Sequence, residues 1–266
     1  MKTRYFDLPV PRLYGHRGSS AHYPENTLAA FRAALQAGMP YLELDVWATR
    51  DGHIVIHHDE NTLRLCGVNR RICDCTLAEV KELDAGYTFS SDAGVSFPYR
   101  GAGITIPTLD ELFQTCPDAL FNVEIEQGTP SVEPLVLAAI RRAKKEDAVL
   151  LAAEKDAVMQ RLRHLCGEIP TSLSYGELEA FFGWLGEGCP SGYRPPGAAL
   201  QIPETYGSKT LVSPPMLEAA HSLGLEVHVW TVNESADMER LLDWGVDGIM
   251  SDWPEVLAEA GRTHIR

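Results

Sequence analysis

The sequence lacks any apolar run long enough to span a membrane, and its opening residues contain no run of signal-peptide length. We therefore predict a cytoplasmic protein without stable membrane association. Positive charge is also scarce, because 23 lysines and arginines stand against 37 acidic residues, for a formal net charge of −14. Such a chain would repel nucleic acid and anionic membrane surfaces, so neither is expected as a partner.

Cysteines are few and lack the paired CxxC spacing of zinc sites. Their scatter does not indicate a disulfide framework either, so free thiols are expected. Three of the six fall in one segment and could approach one another: Cys66, Cys73 and Cys75.

Hydrophobic residues make up 45% of the 266 positions, which is ample for a large core. Short apolar strands alternate with helical segments along most of the chain, and the pattern adds up to eight strand–helix units. It predicts a single α/β domain over 1–266, a TIM-type (β/α)8 barrel with its active site at the carboxyl ends of the strands. Strands are predicted at 12–17, 41–46, 121–126, 148–153, 171–174, 199–202, 226–232 and 248–251.

The predicted strand at 41–46 carries two acidic residues on one face. Alternation directs Glu43 and Asp45 to one side and Leu42, Leu44 and Val46 to the other. Such a pair is usually a solvated acidic surface. Here the apolar side suits burial under helices, as in a parallel barrel, which turns the carboxylates inward. Unpaired inward carboxylates would repel each other, so we expect them to share a hard divalent cation.

Two histidines and an arginine flank this strand. The first predicted strand ends at His16 and Arg17, and a tight turn at 50–52 sends the chain back over the carboxylates. Alternation then directs His58 towards the carboxylates, although only the hairpin register separates it from His57. A lone histidine is usually structural. Two histidines beside an arginine and a carboxylate pair suit acid–base chemistry at a phosphate.

The motifs HRG at 16–18, PENT at 24–27, ELDV at 43–46 and HD at 58–59 follow one another along this stretch. With further motifs at 106–111, 121–125, 229–233 and 245–254, the sequence strongly resembles the glycerophosphodiester phosphodiesterase family over nearly its whole length. The resemblance implies a TIM-barrel enzyme that hydrolyses glycerophosphodiesters to glycerol 3-phosphate and an alcohol. It also implies a small inserted subdomain at 60–103 near the active-site mouth, which we expect to cover part of the pocket and shape substrate choice.

The resemblance also implies roles for individual residues. His16 and His58 would be the catalytic acid and base, and Arg17 would hold the phosphate. Trp230 would form an apolar wall for the glycerol moiety or the leaving alcohol, with plain barrel core as an equal interpretation. One Mg²⁺ or Ca²⁺ would be bound by three carboxylates: Glu43, Asp45 and Glu124.

Glu126 is the clearest departure from the family, which usually has lysine two residues after Glu124. Lys155 could supply the missing cation at the substrate from the next strand end, although an exposed position opening a helix is an equal interpretation. A second metal, a different substrate or reduced activity would also accommodate Glu126.

Two other functions stay open at this point. A lysophospholipase D type phosphodiesterase would act on a substrate with one acyl chain and would need a wider apolar channel beside Trp230. A non-catalytic phosphodiester-binding protein is suggested only by Glu126. The sequence does not indicate the head group, the native metal or the oligomeric state.

Overall fold

The computed structural model describes residues 3–264, and its main feature is a curled sheet of parallel strands. Seven strands are parallel neighbours in the order β5-β4-β2-β1-β10-β9-β6, β3 runs antiparallel to β2, and β7 and β8 form a separate hairpin. The strands of the described chain are β1 (Arg12–His16), β2 (Tyr41–Ala48), β3 (Ile54–Ile56), β4 (Leu120–Ile125), β5 (Val149–Ala152), β6 (Ala199–Pro203), β7 (Thr205–Tyr206), β8 (Lys209–Thr210), β9 (Glu226–Trp230) and β10 (Gly248–Ser251).

Helices follow the strands and cover the outside of the sheet. They are α1 (Leu28–Gln36), α2 (Leu63–Cys66), α3 (Leu77–Lys81), α4 (Leu109–Thr115), α5 (Glu133–Arg142), α6 (Asp156–Cys166), α7 (Tyr175–Gly186), α8 (Pro214–Ser222), α9 (Ser235–Trp244) and α10 (Pro254–Gly261). Between residues 3 and 264, none of the helices is both long enough and apolar enough to cross a bilayer.

The sheet is closed by a segment that is less regular than predicted. Instead of a strand at 171–174, there are two single bridges, in which Thr171 pairs with Leu151 of β5 and Ser172 pairs with Ala199 of β6. The Ser172 N–H donates to the Leu151 carbonyl oxygen at 2.9 Å. Pro170 has no N–H with which to extend the ladder towards the amino end. The two bridges still join both edges of the sheet, so the eight-unit barrel is complete.

Local sequence signals set the start of the helices nearest the site. Thr27 caps α1 by accepting a backbone N–H, and Thr108 and Glu111 form a reciprocal capping box at the start of α4. Gly15 lets α1 lie close against β1, because a Cβ at this position would be 2.7 Å from the Cβ of Ala34. The loop between β1 and α1 is therefore held over the carboxyl ends of the strands.

The amino-terminal half of the barrel interior is filled by side chains and forms a closed base. Tyr5, Tyr14 and Tyr41 are fully buried there within one apolar cluster. Arg12 lies beneath them, and its Nε and one terminal nitrogen each donate to Glu226 at 2.6 Å. The cavity that contains the inward carboxylates therefore lies above this base, at the carboxyl ends of the strands.

The segment at 60–103 has a small core of its own. Leu65, Ile72 and Val80 are buried in a cluster that includes Trp47 of β2 and is separate from the main core. A long insertion is expected to have such packing.

Candidate active site

Three carboxylates converge inside the barrel mouth. Glu43 and Asp45 share the inward face of β2 and are 3% and 2% exposed, and the parallel register places Asp45 opposite Glu124 of β4. One oxygen atom from each residue lies within 4.8 Å of the other two. The fold therefore gathers these acids into one cluster.

The protein compensates the charge of this cluster only in part. Burial and then the neighbouring Asp45 raise the pKa of Glu43 well above its ordinary value. Burial, Asp45 and Glu126 together raise the pKa of Glu124 to about 8. Carboxylates in this state favour a cation among them, and carboxylate oxygens are the ligands that Mg²⁺ and Ca²⁺ prefer. Glu43, Asp45 and Glu124 thus fit a divalent cation.

His16, at the end of β1, is oriented by an aspartate. Its Nδ1 lies 2.7 Å from Asp252 Oδ1. Burial alone would raise the pKa of Asp252, but hydrogen bonds from His16, Ser20 and Asn233 hold it at about 2. An ionised aspartate only accepts, so Nδ1 carries a proton. The other ring nitrogen, Nε2, is left 3.9 Å from Glu43 Oε2.

His58 repeats this arrangement beyond the end of β3. Its Nδ1 lies 2.7 Å from Asp59 Oδ1, and its Nε2 lies 3.9 Å from Glu126 Oε1. Burial opposes ionisation of Asp59, but Arg64 and His58 lower its pKa to about 2. The neighbouring His57 is turned the other way: its ring is 1% exposed and Nε2 lies 3.1 Å from the Asn61 carbonyl oxygen.

Arg17 brings positive charge to the carboxylates from the loop after β1. Its Nε lies 3.1 Å from Asp45 Oδ2, so the two side chains form an ion pair. The contact does not have the geometry of a hydrogen bond, and the buried Nε–H therefore has no hydrogen-bond acceptor within residues 3–264. One terminal nitrogen donates to Glu25 at 3.0 Å. Asn26 adds a hydrogen bond, from Nδ2 to Asp45 Oδ2 at 2.7 Å.

Glu126 also lines the site, and Lys155 lies behind it. Burial and then Asp45 raise the pKa of Glu126. The Lys155 ammonium donates to the backbone carbonyl of Glu126 at 2.5 Å, and Lys155 is not among the residues that line the cavity over the described chain. Its contact with substrate stays a prediction. Asp45, His58 and Glu126 form a second group with ligand atoms within 4.8 Å of one another.

A cavity of about 830 Å³ opens over these groups and extends away from them along an apolar wall. Helix α7 presents Leu178, Phe182 and Leu185 to it at helical spacing, and Met216 of α8 contributes as well. Trp230, 42% exposed, also lines the cavity. The cavity therefore has a charged end at the strand termini and an apolar extension beside α7.

The inserted segment contacts residues that support the site, but no residue of 60–103 in the described structure lines the cavity. Arg64 donates to Asp59 Oδ2 at 2.7 Å and to Glu25 Oε1 at 2.6 Å. The segment thus steadies the partners of His58 and Arg17, and its role in substrate choice stays a prediction.

Most of the residues singled out in the sequence meet in this cavity. The exception is Lys155, and the members that line it are His16, Arg17, Glu43, Asp45, His58, Glu124 and Trp230. Sequence reasoning missed side chains that hold these residues, including Glu25, Asn26, Asp59 and Asp252. Each lies inside a recognised motif, but nothing in the motif alone says what its side chain holds.

The fold and site together define a class: a TIM-type barrel enzyme with paired histidines, an arginine and a carboxylate cluster that fits a divalent cation. Residues 16–256 match the model of the glycerophosphoryl diester phosphodiesterase family. The chain therefore belongs to that family, and it is a phosphodiesterase.

Individual relatives agree with this assignment. The glycerophosphodiester phosphodiesterase of Caldanaerobacter subterraneus subsp. tengcongensis is 33% identical and is covered over 94% of its length, with 91% of this chain. Human lysophospholipase D is 25% identical, with 92% of this chain and 84% of the relative covered. The Oleispira antarctica phosphodiesterase in complex with the product sn-glycerol-3-phosphate is 25% identical, has a TM-score of 0.72, and covers 95% of this chain and 96% of its own.

Proposed function

We propose that this protein hydrolyses glycerophosphodiesters to glycerol 3-phosphate and an alcohol, with one Mg²⁺ or Ca²⁺ held by Glu43, Asp45 and Glu124. The observation that carries the proposal is the pair of histidines, each held by an aspartate and each presenting Nε2 beside the acidic cluster. The product bound to the Oleispira relative supports the choice of glycerol 3-phosphate.

The charged groups have complementary tasks in this proposal. The cation would supply positive charge that offsets the three carboxylates and polarises a phosphate oxygen. Arg17, which lines the cavity beside Asp45, binds a second phosphate oxygen through its guanidinium group. The phosphate is thereby placed between the two histidines.

We assign the roles of proton acceptor and proton donor from how deeply each histidine is buried. The His16 side chain is 17% exposed and lies beside Glu43, whereas that of His58 is 35% exposed and lies nearer the mouth. We assign His16 Nε2 to take the proton of the glycerol hydroxyl next to the ester as its oxygen attacks phosphorus. The bond from phosphorus to the leaving alcohol breaks, and that oxygen takes a proton from His58 Nε2. Water then opens the cyclic phosphate with the two proton transfers reversed.

The variant Glu43→Gln tests the cation site on which this proposal depends. It should abolish metal-dependent activity with little loss of folding stability, because the buried carboxylate is costly to ionise without a cation. Calorimetric titration with Mg²⁺ or Ca²⁺ should show weakened binding, whereas Glu218→Gln on the exposed face of α8 should bind normally. Full activity in Glu43→Gln would contradict the three-carboxylate cation site. Binding of a phosphodiester by wild type without any turnover would favour a non-catalytic phosphodiester-binding protein.

The apolar extension of the cavity supports a second candidate, a lysophospholipase D type activity. The wall formed by Leu178, Phe182 and Leu185 follows one face of α7 for about 10 Å, since a helix rises by 1.5 Å per residue. Each methylene buried there would contribute about 0.8 kcal/mol. A single acyl chain would fit this chemistry, whereas a small polar head group would leave the wall exposed.

Comparison of two substrates decides between the candidates. Hydrolysis of lysophosphatidylcholine, below its micelle concentration, is compared with that of glycerophosphocholine. If the apolar wall binds an acyl chain, Phe182→Glu should lower kcat/KM for lysophosphatidylcholine by ~10–100-fold, since the bound acyl chain would lie against a charged side chain. Ala180→Glu, on the exposed side of α7, is the matched control. A wild-type enzyme that cleaves only glycerophosphocholine rules the second candidate out.

A further inference from the structure

Two carboxamide side chains form the floor of the cavity beneath the carboxylates. Asn122 lies two residues before Glu124 on the same face of β4, and Gln201 projects from β6 across the barrel interior. Gln201 Nε2 donates to Asn122 Oδ1 at 2.7 Å, and both residues line the cavity. The two amides are thus locked to each other at the base of the site.

A buried histidine outside the site fixes the direction of this hydrogen bond. Gln201 Nε2 also lies 3.2 Å from Nδ1 of His228, which is 0% exposed. Its Nε2 lies 3.0 Å from Glu226, which binds Arg12 with both oxygens at 2.6 Å. Burial opposes ionisation of Glu226, but Arg12 and His228 lower its pKa to about 2. Because an ionised carboxylate only accepts, His228 donates from Nε2 to Glu226, and its Nδ1 accepts from Gln201 Nε2.

Both hydrogens of Gln201 Nε2 are used by this arrangement, one on Asn122 and one on His228. Gln201 Oε1 and Asn122 Nδ2 are then left without a partner within the described residues, so the floor offers one acceptor and one donor to the cavity. A vicinal diol is the complement of such a pair, since each hydroxyl group can donate and accept. Glycerol carries such hydroxyls on adjacent carbons.

We propose that Gln201 and Asn122 bind the two adjacent hydroxyl groups of the glycerol moiety, and that His228 is a positioning residue that holds both amides in the required orientation. The inference rests on the proposed function, which makes glycerol the substrate moiety. An acyl chain on the terminal hydroxyl would remove one of the two partners, so the floor favours an unacylated glycerol.

The test compares binding of three phosphates by calorimetry at saturating Mg²⁺. They are sn-glycerol 3-phosphate and two analogues that each lack one hydroxyl group, 2-hydroxypropyl phosphate and 3-hydroxypropyl phosphate. Wild type should bind glycerol 3-phosphate about 10- to 100-fold more tightly than either analogue, because each analogue leaves one floor group unpaired. Equal binding of all three would overturn the proposed floor.

Variants of the histidine separate positioning from a merely structural role. His228→Phe keeps a ring but removes the acceptor, so most of the preference for glycerol 3-phosphate should be lost, and His228→Asn should restore part of it through its Oδ1. Tyr14→Phe is the matched control. It removes a hydroxyl group 3.4 Å from the same Nδ1 and leaves the acceptor for Gln201 in place, so the preference should persist.

Urea unfolding shows whether each variant is folded at the assay temperature. If His228→Phe is not, Gln201→Met decides the question, and it too should lose the preference. An undiminished preference in the folded variants would overturn the proposal. Turnover of glycerophosphocholine is measured separately, so a protein that prefers glycerol 3-phosphate but cleaves no diester contradicts the proposed function and leaves the floor intact.

Discussion

At the scale of single residues, the same pairing occurs twice around the cavity. His16 is held by Asp252 and His58 by Asp59, each with 2.7 Å between Nδ1 and a carboxylate oxygen. Both aspartates have a pKa of about 2, because their hydrogen-bond donors outweigh the effect of burial. The aspartates therefore stay ionised and keep Nε2 of each ring available for proton exchange.

The two histidines should be of similar importance for turnover. His16→Ala and His58→Ala should each lower kcat by ~10²–10⁴-fold. Metal binding should survive, because neither side chain belongs to the three-carboxylate cluster. His57→Ala should lower kcat much less, because its ring points to the Asn61 carbonyl oxygen. Steady-state kinetics on folded protein, with calorimetry for the metal, checks this. A larger loss in His57→Ala than in His58→Ala would contradict the roles given to these neighbours.

Lys155 is the candidate to replace the lysine that the family usually has at the position of Glu126. Two unit charges about 4 Å apart interact by roughly 4 kcal/mol at an effective dielectric constant near 20, so a fraction of this would be visible in the kinetics. Lys155→Met should raise KM or lower kcat for every phosphodiester tested, and Glu126→Lys in that background should restore part of the loss. Lys144→Met, which removes an exposed lysine, controls for net charge.

Wild-type kinetics in Lys155→Met would mean that this lysine only caps the Glu126 carbonyl. Glu126 would then be better interpreted as a ligand of a second cation, together with Asp45 and His58, whose atoms lie within 4.8 Å of it. Metal stoichiometry above one per chain would show this.

Local pattern and the family resemblance together selected most of the cavity residues but not the residues that support them. Glu43 and Asp45 follow from the two-residue period of a strand, which depends only on neighbours in the sequence. Asp252 reaches His16 across 236 residues, because β10 lies beside β1 in the closed sheet. No local pattern contains that contact, so the sequence motif at 251–254 identified the segment and not its role.

At the scale of secondary-structure elements, regular repeats were predictable and irregular connections were not. β10 has the predicted bounds, and the alternation of strands and helices is confirmed. The strand expected at 171–174 is wrong as a strand, since only Thr171 and Ser172 form bridges, and Pro170 prevents the ladder from extending towards the amino end. The hairpin of β7 and β8 was not predicted, because its four exposed residues have no apolar alternation.

The ion pair between Arg12 of β1 and Glu226 of β9 should contribute strongly to stability. Glu226→Gln would leave the buried guanidinium without its charged partner and should cost about 3–5 kcal/mol in the free energy of unfolding. The pKa of Glu226 falls from 4.5 to about 2 on folding. The carboxylate therefore stabilises the protein above about pH 4.5, and its contribution is lost as pH falls towards 2.

Urea unfolding of wild type and Glu226→Gln between pH 7 and pH 3 measures this difference. The gap between the two proteins should be largest near neutral pH and should narrow in acid. Glu259→Gln, which breaks an exposed pair with Arg262, should change stability by less than about 1 kcal/mol. A gap for Glu226→Gln that is independent of pH would contradict the ion-pair interpretation.

At the scale of the whole molecule, the chain has a net charge of −14, whereas the proposed substrate is an anion. Long-range electrostatic attraction does not bring an anionic substrate to a negatively charged chain, so positive charge within the cavity has to hold the phosphate. Arg17 supplies one such charge, but it already faces Asp45 and Glu25. A divalent cation is therefore central to the proposed function, because without it the three carboxylates would repel the substrate. Cytoplasmic location and a small-molecule partner stay predictions at this scale.

The most direct test of this claim is release of glycerol 3-phosphate from glycerophosphocholine, followed in EDTA and then with Mg²⁺ or Ca²⁺ restored. We expect no turnover above background in EDTA and recovery of activity with at least one of the two ions. Undiminished release of glycerol 3-phosphate in EDTA, by protein shown to be free of metal, would contradict it.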